Sequence, residues 1–273
     1  MIRALLFAAA LVALPAHAQF KFDLNRAIES VKNLGRATME IDEKQEIEIG
    51  RDMAARLLGA APLANDARLQ RYVNNVGRWL ASQTERPDLP WRFGVLEAPQ
   101  VNAFAVPGGT IFVTRGLLQR MRNEAELAGV LAHEIGHVLK KHHLKAIQKG
   151  AQAELAGEAL SMAMRDSNSE ARGKLVRFGT EMYARGLDKS DELEADRLGV
   201  VIAARAGYDA YGLPTVLQTL QAMNPEDSGL ALMFKTHPAP GERLDALEKM
   251  QPTLDAYAGQ AQLVDRFEGA ARR

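Results

Sequence analysis

The chain has no cysteine. Disulfides and thiolate metal sites are therefore excluded, and any metal must be held by histidine and carboxylate. Cysteine usage accordingly says nothing of the redox compartment. Histidine is scarce, six in 273 residues, so a cluster of them carries information. Neither sign of charge dominates: 34 Lys and Arg balance 34 Asp and Glu. That balance argues against nucleic acid as a partner, because phosphate binding needs a concentrated basic patch. Beyond the first residues, no stretch approaches the roughly 18 apolar residues of a membrane-spanning helix. The chain beyond its N-terminal segment, about 255 residues, is long enough for one sizeable core.

The N-terminus has the pattern of a secretory signal over residues 1–18. Arg3 supplies the charged start, Ala4 to Leu14 the short apolar run, Pro15 a break, and Ala16-His17-Ala18 a small-x-small cleavage site. The mature chain is expected to begin near Gln19 and to reside in the periplasm. With no cysteine after the cleavage site, no lipoprotein anchor is expected. Residues 19–42 are expected to form an N-terminal helix and linker. The amphipathic run Leu24 to Met39 suits a packed helix better than a membrane-surface or partner contact.

The most specific stretch is His133-Glu134-Ile135-Gly136-His137. Two histidines four apart on a helix project from one face and can grip one metal ion. Glu134 lies about 100° further round, beside the metal, where it can take a proton from water. Leu127, Val130, Leu131, Ile135 and Val138 recur at helical spacing, so the helix, read over 123–143, is expected to be buried. Buried histidines need partners, and a metal is one. A catalytic zinc takes three protein ligands and leaves one position open. Downstream, Asp191-Glu192-Leu193-Glu194-Ala195-Asp196 opens a second apolar-periodic helix, read over 190–206. Glu192 and Asp196 share a face. Glu192 can ligate while Asp196 accepts a hydrogen bond from a ligand imidazole and fixes its tautomer. Asp191 and Glu194 suit the helix N-terminus. His142 and His143, beside Lys140 and Lys141, read as residues of a helix end and not as ligands.

The β-prone runs Val101 to Val106 and Thr110 to Thr114 flank Pro107-Gly108-Gly109 and predict a hairpin. It packs under the active helix or offers an edge strand that holds an extended substrate; the two readings are compatible. Further helices are predicted over 43–58, 66–82, 146–164, 213–223 and 242–250, with loops at 87–90 and 167–169. Residues 251–273 read as a tail, with no 34-residue repeat of the kind that builds a tetratricopeptide partner module.

Four ordered motifs carry a family resemblance. They are Asn102 to Gly109 with Ile111, Val113 and Gly116-Leu117-Leu118; the HEIGH helix; Glu192 to Asp196; and Thr236-His237-Pro238 with Glu242-Arg243-Leu244. Together they resemble the HtpX, BepA and CAAX prenyl protease family of gluzincin metallopeptidases, over about residues 43–247 of a peptidase domain read over 43–250. The resemblance implies an α+β, mostly α-helical peptidase domain with a small sheet whose edge strand binds substrate. It implies Glu192 as third zinc ligand beside His133 and His137, one zinc per subunit, and Glu134 as catalytic base. It places His237 and Arg243 near the metal, His237 as oxyanion donor or resting cap and Arg243 holding Glu192 or stabilising developing negative charge. Asn102, Ala103, Phe104, Ala105, Gly108 and Gly109 become the expected substrate-binding residues. Many members of that family are integral membrane proteins; this chain departs from them, though a peripheral membrane contact stays open. The expected activity is a periplasmic zinc metalloendopeptidase acting on polypeptides, misfolded or envelope proteins among them. A chaperone-like quality-control protein and a zinc exopeptidase are the alternatives.

Overall fold

The computed structural model describes residues 41–149, 186–224, 229–230, 233 and 236–271. The expected signal segment, the amphipathic helix at 24–39, most of the helix at 146–164 and the loop at 167–169 lie outside the described residues. Among the described residues, no helix is long and apolar enough to cross a membrane.

Local sequence starts each helix where its caps stand. Helix α1 (Glu43–Ala60) opens on a reciprocal capping box between Asp42 and Gln45. Helix α2 (Ala67–Ala81) opens on Asp66, whose carboxylate accepts from the Arg68 and Leu69 amides. Leu69, Val73, Val76 and Leu80 form the buried stripe of α2, spaced as an amphipathic helix requires. Strands β1 (Arg92–Leu96), β2 (Ala103–Val106) and β3 (Thr110–Thr114) make a sheet of order β1-β3-β2. The hairpin β2–β3 is antiparallel as expected, Val106 facing Thr110. β1, which no pattern in the sequence predicts, pairs parallel with β3, Phe93 opposite Ile111.

Side chains of α2 cover the outer edge of β1. The Gln70 amide exchanges two bonds with Val95, accepting from its N–H and donating to its carbonyl, each at 2.9 Å. Asn74 accepts from the Phe93 amide at 3.1 Å. An exposed strand edge invites pairing, and here amide side chains satisfy it. Among the described residues, β2 forms the opposite edge.

After the short helix α3 (Arg115–Leu118), helix α4 (Glu124–Leu139) runs through the centre of the molecule with every residue buried. Asn123 caps it, accepting from the Glu126 amide at 2.9 Å. Glu124 and Glu126 in its first turn suit the positive end of the dipole. Helices α5 (Lys189–Arg205), α6 (Gly212–Gln221) and α7 (Pro240–Glu248) pack on the side away from the sheet. The predicted run to residue 143 stops early: Lys140 is the C-cap and Lys141 takes φ 56°, after which residues 142–149 form a new helix. Residues 251–273, expected as a tail, carry helices α8 (Gln251–Asp255) and α9 (Val264–Ala271), and Phe267 of α9 is fully buried in the main core. Arg266, Tyr72 and Tyr208 converge on the buried Glu124 carboxylate, so α9, α2 and the loop after α5 are tied to the start of α4.

Candidate metal centre

The site lies where α4 and α5 cross. Small residues set how close they come. A Cβ on Gly199 of α5 would lie 2.9 Å from the His133 backbone nitrogen, and one on Gly136 of α4 would meet Ala195 at 3.3 Å. Two glycines thus let the backbones approach closely enough for short side chains to meet across the seam.

Four residues bring one ligand atom each to a common point, all within 4.8 Å of one another: His133, His137, Glu192 and His237. His133 Nε2 and His137 Nε2 are 3.0 Å apart. Glu192 Oε2 is 3.7 Å from the first and Oε1 is 3.6 Å from the second. His237 Nδ1 contacts Glu192 Oε2 at 2.7 Å. Residues more than 100 positions apart in the chain are thereby brought to one point.

Behind this group, Asp196 Oδ1 is 2.9 Å from His133 Nδ1. Arg243 of α7 grips both Asp196 oxygens, at 2.8 and 2.5 Å. Arg243 therefore holds Asp196, where the expected partner is Glu192 or a developing negative charge. The carboxylate that orients His133 is itself fixed in place, the arrangement that keeps ligand imidazoles in one tautomer. His142, expected as a residue of a helix end, is fully buried, with Nδ1 3.0 Å from His137 Nδ1. The left-handed turn at Lys141 swings it back against the active helix, and nothing in a lysine announces such a turn.

Electrostatics follow burial and pairing. Burial pushes the Glu134 carboxyl up, against the pull of His133 and His237. Burial holds His137 well below the usual imidazole range, with His133 adding to it. Burial would raise Glu192, but His237, His133 and Arg243 outweigh it and hold it at about 2. Burial would lower His237, and the Glu192 carboxylate reverses that. Asp196 is likewise depressed: Arg243 and His133 overcome the cost of burial.

Does this pocket fit a metal? Glu192 Oε1 is buried and has no hydrogen-bond partner among the described residues. A buried carboxylate oxygen without a donor is costly, and a cation relieves that cost. Two imidazoles and one carboxylate are the donor set of a catalytic zinc site with an open position.

The hairpin residues are arranged with less freedom. Asn102 is buried, its Oδ1 accepts from the Ala103 amide, and its Nδ2 has no partner among the described residues. Ala103 to Val106 form β2, Phe104 half-buried. Gly108 and Gly109 have φ of 77° and 95°, which only glycine adopts readily. The Gly108 amide donates to Glu46 of α1 at 3.2 Å, so this turn is engaged by α1.

A helix bearing HExxH, a carboxylate from a second helix and a buried outer layer define the class: a metallopeptidase domain of the gluzincin type. The chain belongs to Peptidase family M48, whose profile matches residues 67–251. It is 32% identical over 208 residues to the beta-barrel assembly-enhancing protease of Escherichia coli, covering 73% of this chain and 42% of that protein. A putative beta-barrel assembly-enhancing protease of Vibrio cholerae is 30% identical over 273 residues, 94% of this chain and 55% of its own length. The mitochondrial metalloendopeptidase OMA1 of Schizosaccharomyces pombe is 30% identical over 182 residues, 66% of this chain and 52% of its own. The chain spans about half the length of these curated relatives.

Proposed function

We propose that the protein is a zinc-dependent endopeptidase of the periplasm that cuts polypeptides of the cell envelope, misfolded ones among them. The observation that carries the reading is the unpartnered Glu192 Oε1, 3.6 Å from His137 Nε2, with Oε2 of the same carboxylate 3.7 Å from His133 Nε2. The export signal pattern at residues 1–18 supports the compartment, and the names of the relatives support the substrate class.

In this reading His133, His137 and Glu192 hold one zinc ion. When bound, zinc would supply Lewis acidity towards a water molecule and a peptide carbonyl. Glu134, buried beside the ligands, takes the proton at its carboxylate and returns it to the departing amine. His237 reaches the same point and donates to the developing oxyanion, or caps the site at rest. Asp196, clamped by Arg243, keeps His133 in the ligating tautomer. Strand β2 with Asn102 is the element that the family resemblance assigns to aligning the substrate.

The test is Glu134→Gln in the full chain. Zinc content should be unchanged, while cleavage of an unfolded polypeptide falls by about 10²- to 10⁴-fold, the usual worth of a general base. Cleavage of a peptide blocked at both ends distinguishes an endopeptidase from an exopeptidase. Undiminished activity of purified Glu134→Gln would overturn the mechanism. Binding of unfolded chains without any zinc-dependent cleavage by the wild type would favour a chaperone-like protein.

A further inference from the structure

Each of the two imidazoles that α4 brings to the centre has an arm behind it. That of His133 is Asp196 with Arg243. That of His137 is built differently: His137 Nδ1 lies 3.0 Å from His142 Nδ1, and His142 Nε2 lies 3.1 Å from Glu194 Oε2. Asp191 Oδ1 stands further off, 3.6 Å from the same nitrogen, and Lys140 Nζ is 3.5 Å from the other Glu194 oxygen. His142 is fully buried, whereas the Glu194 side chain is 41% exposed. The row therefore runs from the surface through one buried imidazole to the centre.

The carboxylate at its outer end sets its direction. An ionised carboxylate only accepts. His142 must therefore donate from Nε2, and a neutral imidazole has one proton, so its Nδ1 must accept. The hydrogen that meets this lone pair is the one on His137 Nδ1. With its proton there, His137 has a bare Nε2, and that is the atom facing His133, Glu192 and His237.

We infer that His142 is a positioning residue: with Glu194 it holds His137 in the one tautomer whose Nε2 lone pair points at the metal site. The inference rests on reading His137 as a ligand through Nε2. Lys141 makes the contact geometrically available. Its φ of 56° reverses the chain, and its Nζ is 3.5 Å from the buried Glu46, which also binds Arg86 and the Gly108 amide. The turn that delivers His142 is thus braced from α1. An accepting imidazole also makes the His137 ring more basic towards a cation, as outer-layer acceptors generally do.

The experiment uses the full chain and zinc itself, titrated against a competing chelator. His142→Phe should lose about 10- to 100-fold in zinc affinity, the range for removing such a partner. His142→Gln, whose amide oxygen can accept from His137 Nδ1, should recover most of that loss. Glu194→Ala, at a half-exposed position, should cost several-fold, and it serves if His142→Phe does not fold. Nitrogen-15 spectra of the histidines in the zinc-loaded wild type should show His142 protonated at Nε2 and bare at Nδ1. They should also show a hydrogen-bonded His137 Nδ1 proton that disappears in the Phe variant. Wild-type zinc affinity in folded His142→Phe, or His142 protonated at Nδ1, overturns the inference while leaving the site reading intact. A wild type that binds no zinc overturns both.

Discussion

Gly199 and His133 touch backbone to backbone: a Cβ on the glycine would sit 2.9 Å from the His133 nitrogen and 3.0 Å from its Cα. This contact sets the spacing of α4 and α5. It lets the short side chain of Asp196 reach His133 and brings Glu192 between the histidines.

Gly199→Ala should therefore act on the metal before it acts on the fold. Neither backbone can yield without shifting a helix, and overpacking of this kind costs typically about 1–3 kcal/mol. Chemical denaturation should register that loss, and zinc affinity should fall at least tenfold. Unchanged zinc affinity would show that the seam tolerates a wider spacing.

Arg243 and Asp196 form a buried pair, both under a tenth exposed. Removing one partner leaves an unpaired charge, so Arg243→Met should destabilise the protein by about 3–5 kcal/mol. Arg243→Met with Asp196→Leu should lose less than either single change, since no charge is then stranded. Urea melts of the set measure the coupling. His133 loses Asp196 in the two variants that carry Asp196→Leu and keeps an unclamped Asp196 in Arg243→Met, and zinc affinity should drop in each.

Acid should undo the same pair in the zinc-free protein. Asp196 has its pKa depressed below the ordinary aspartate value, and Glu192 is held at about 2. Depressed carboxylates add stability that is fully present above their unfolded pKa near 4 and disappears as pH falls through the folded value. Unfolding free energy should decline between about pH 5 and pH 2, with a shallower decline in Asp196→Asn. Parallel slopes in the two proteins would assign the acid sensitivity elsewhere.

Phe267 tests whether the C-terminal stretch belongs to the domain. It is fully buried against the main core, next to Arg266 on the Glu124 carboxylate. Phe267→Ala should cost about 3–5 kcal/mol. A chain ending at residue 250 should lose its cooperative melt. A truncated protein with wild-type stability would restore the view of residues 251–273 as a tail.

The helices most readable in the sequence are those with both a cap and a periodic stripe. Asp66 followed by Leu69, Val73, Val76 and Leu80 announces α2, and Asn123 followed by a buried run announces α4. β1 is not readable. Its five residues include Gly94, and what makes them a strand is pairing with β3 and the reach of Gln70 and Asn74 from α2. Those partners lie far away in the chain, and no local pattern encodes them. His142 escapes the sequence for a related reason. Helical spacing extrapolated past Lys140 carries it off the metal face, whereas a single left-handed residue brings it back.

By itself the sequence determined the chemistry available at the centre. With no cysteine, and with His133, Glu134 and His137 at helical spacing, any metal there had to be met by imidazole and carboxylate, with the Glu134 carboxylate one step round the helix. Family pattern added Glu192 and His237. Only the tertiary structure decided which groups stand behind His133 and His137. Arg243 clamps Asp196, His142 backs His137, and Glu192 Oε1 has no donor among the described residues. The reason is physical: helix periodicity is a local property of consecutive residues, while the partner of a buried polar atom depends on how closely two helices approach. Here that approach is set by glycines whose only contribution is the side chain they lack.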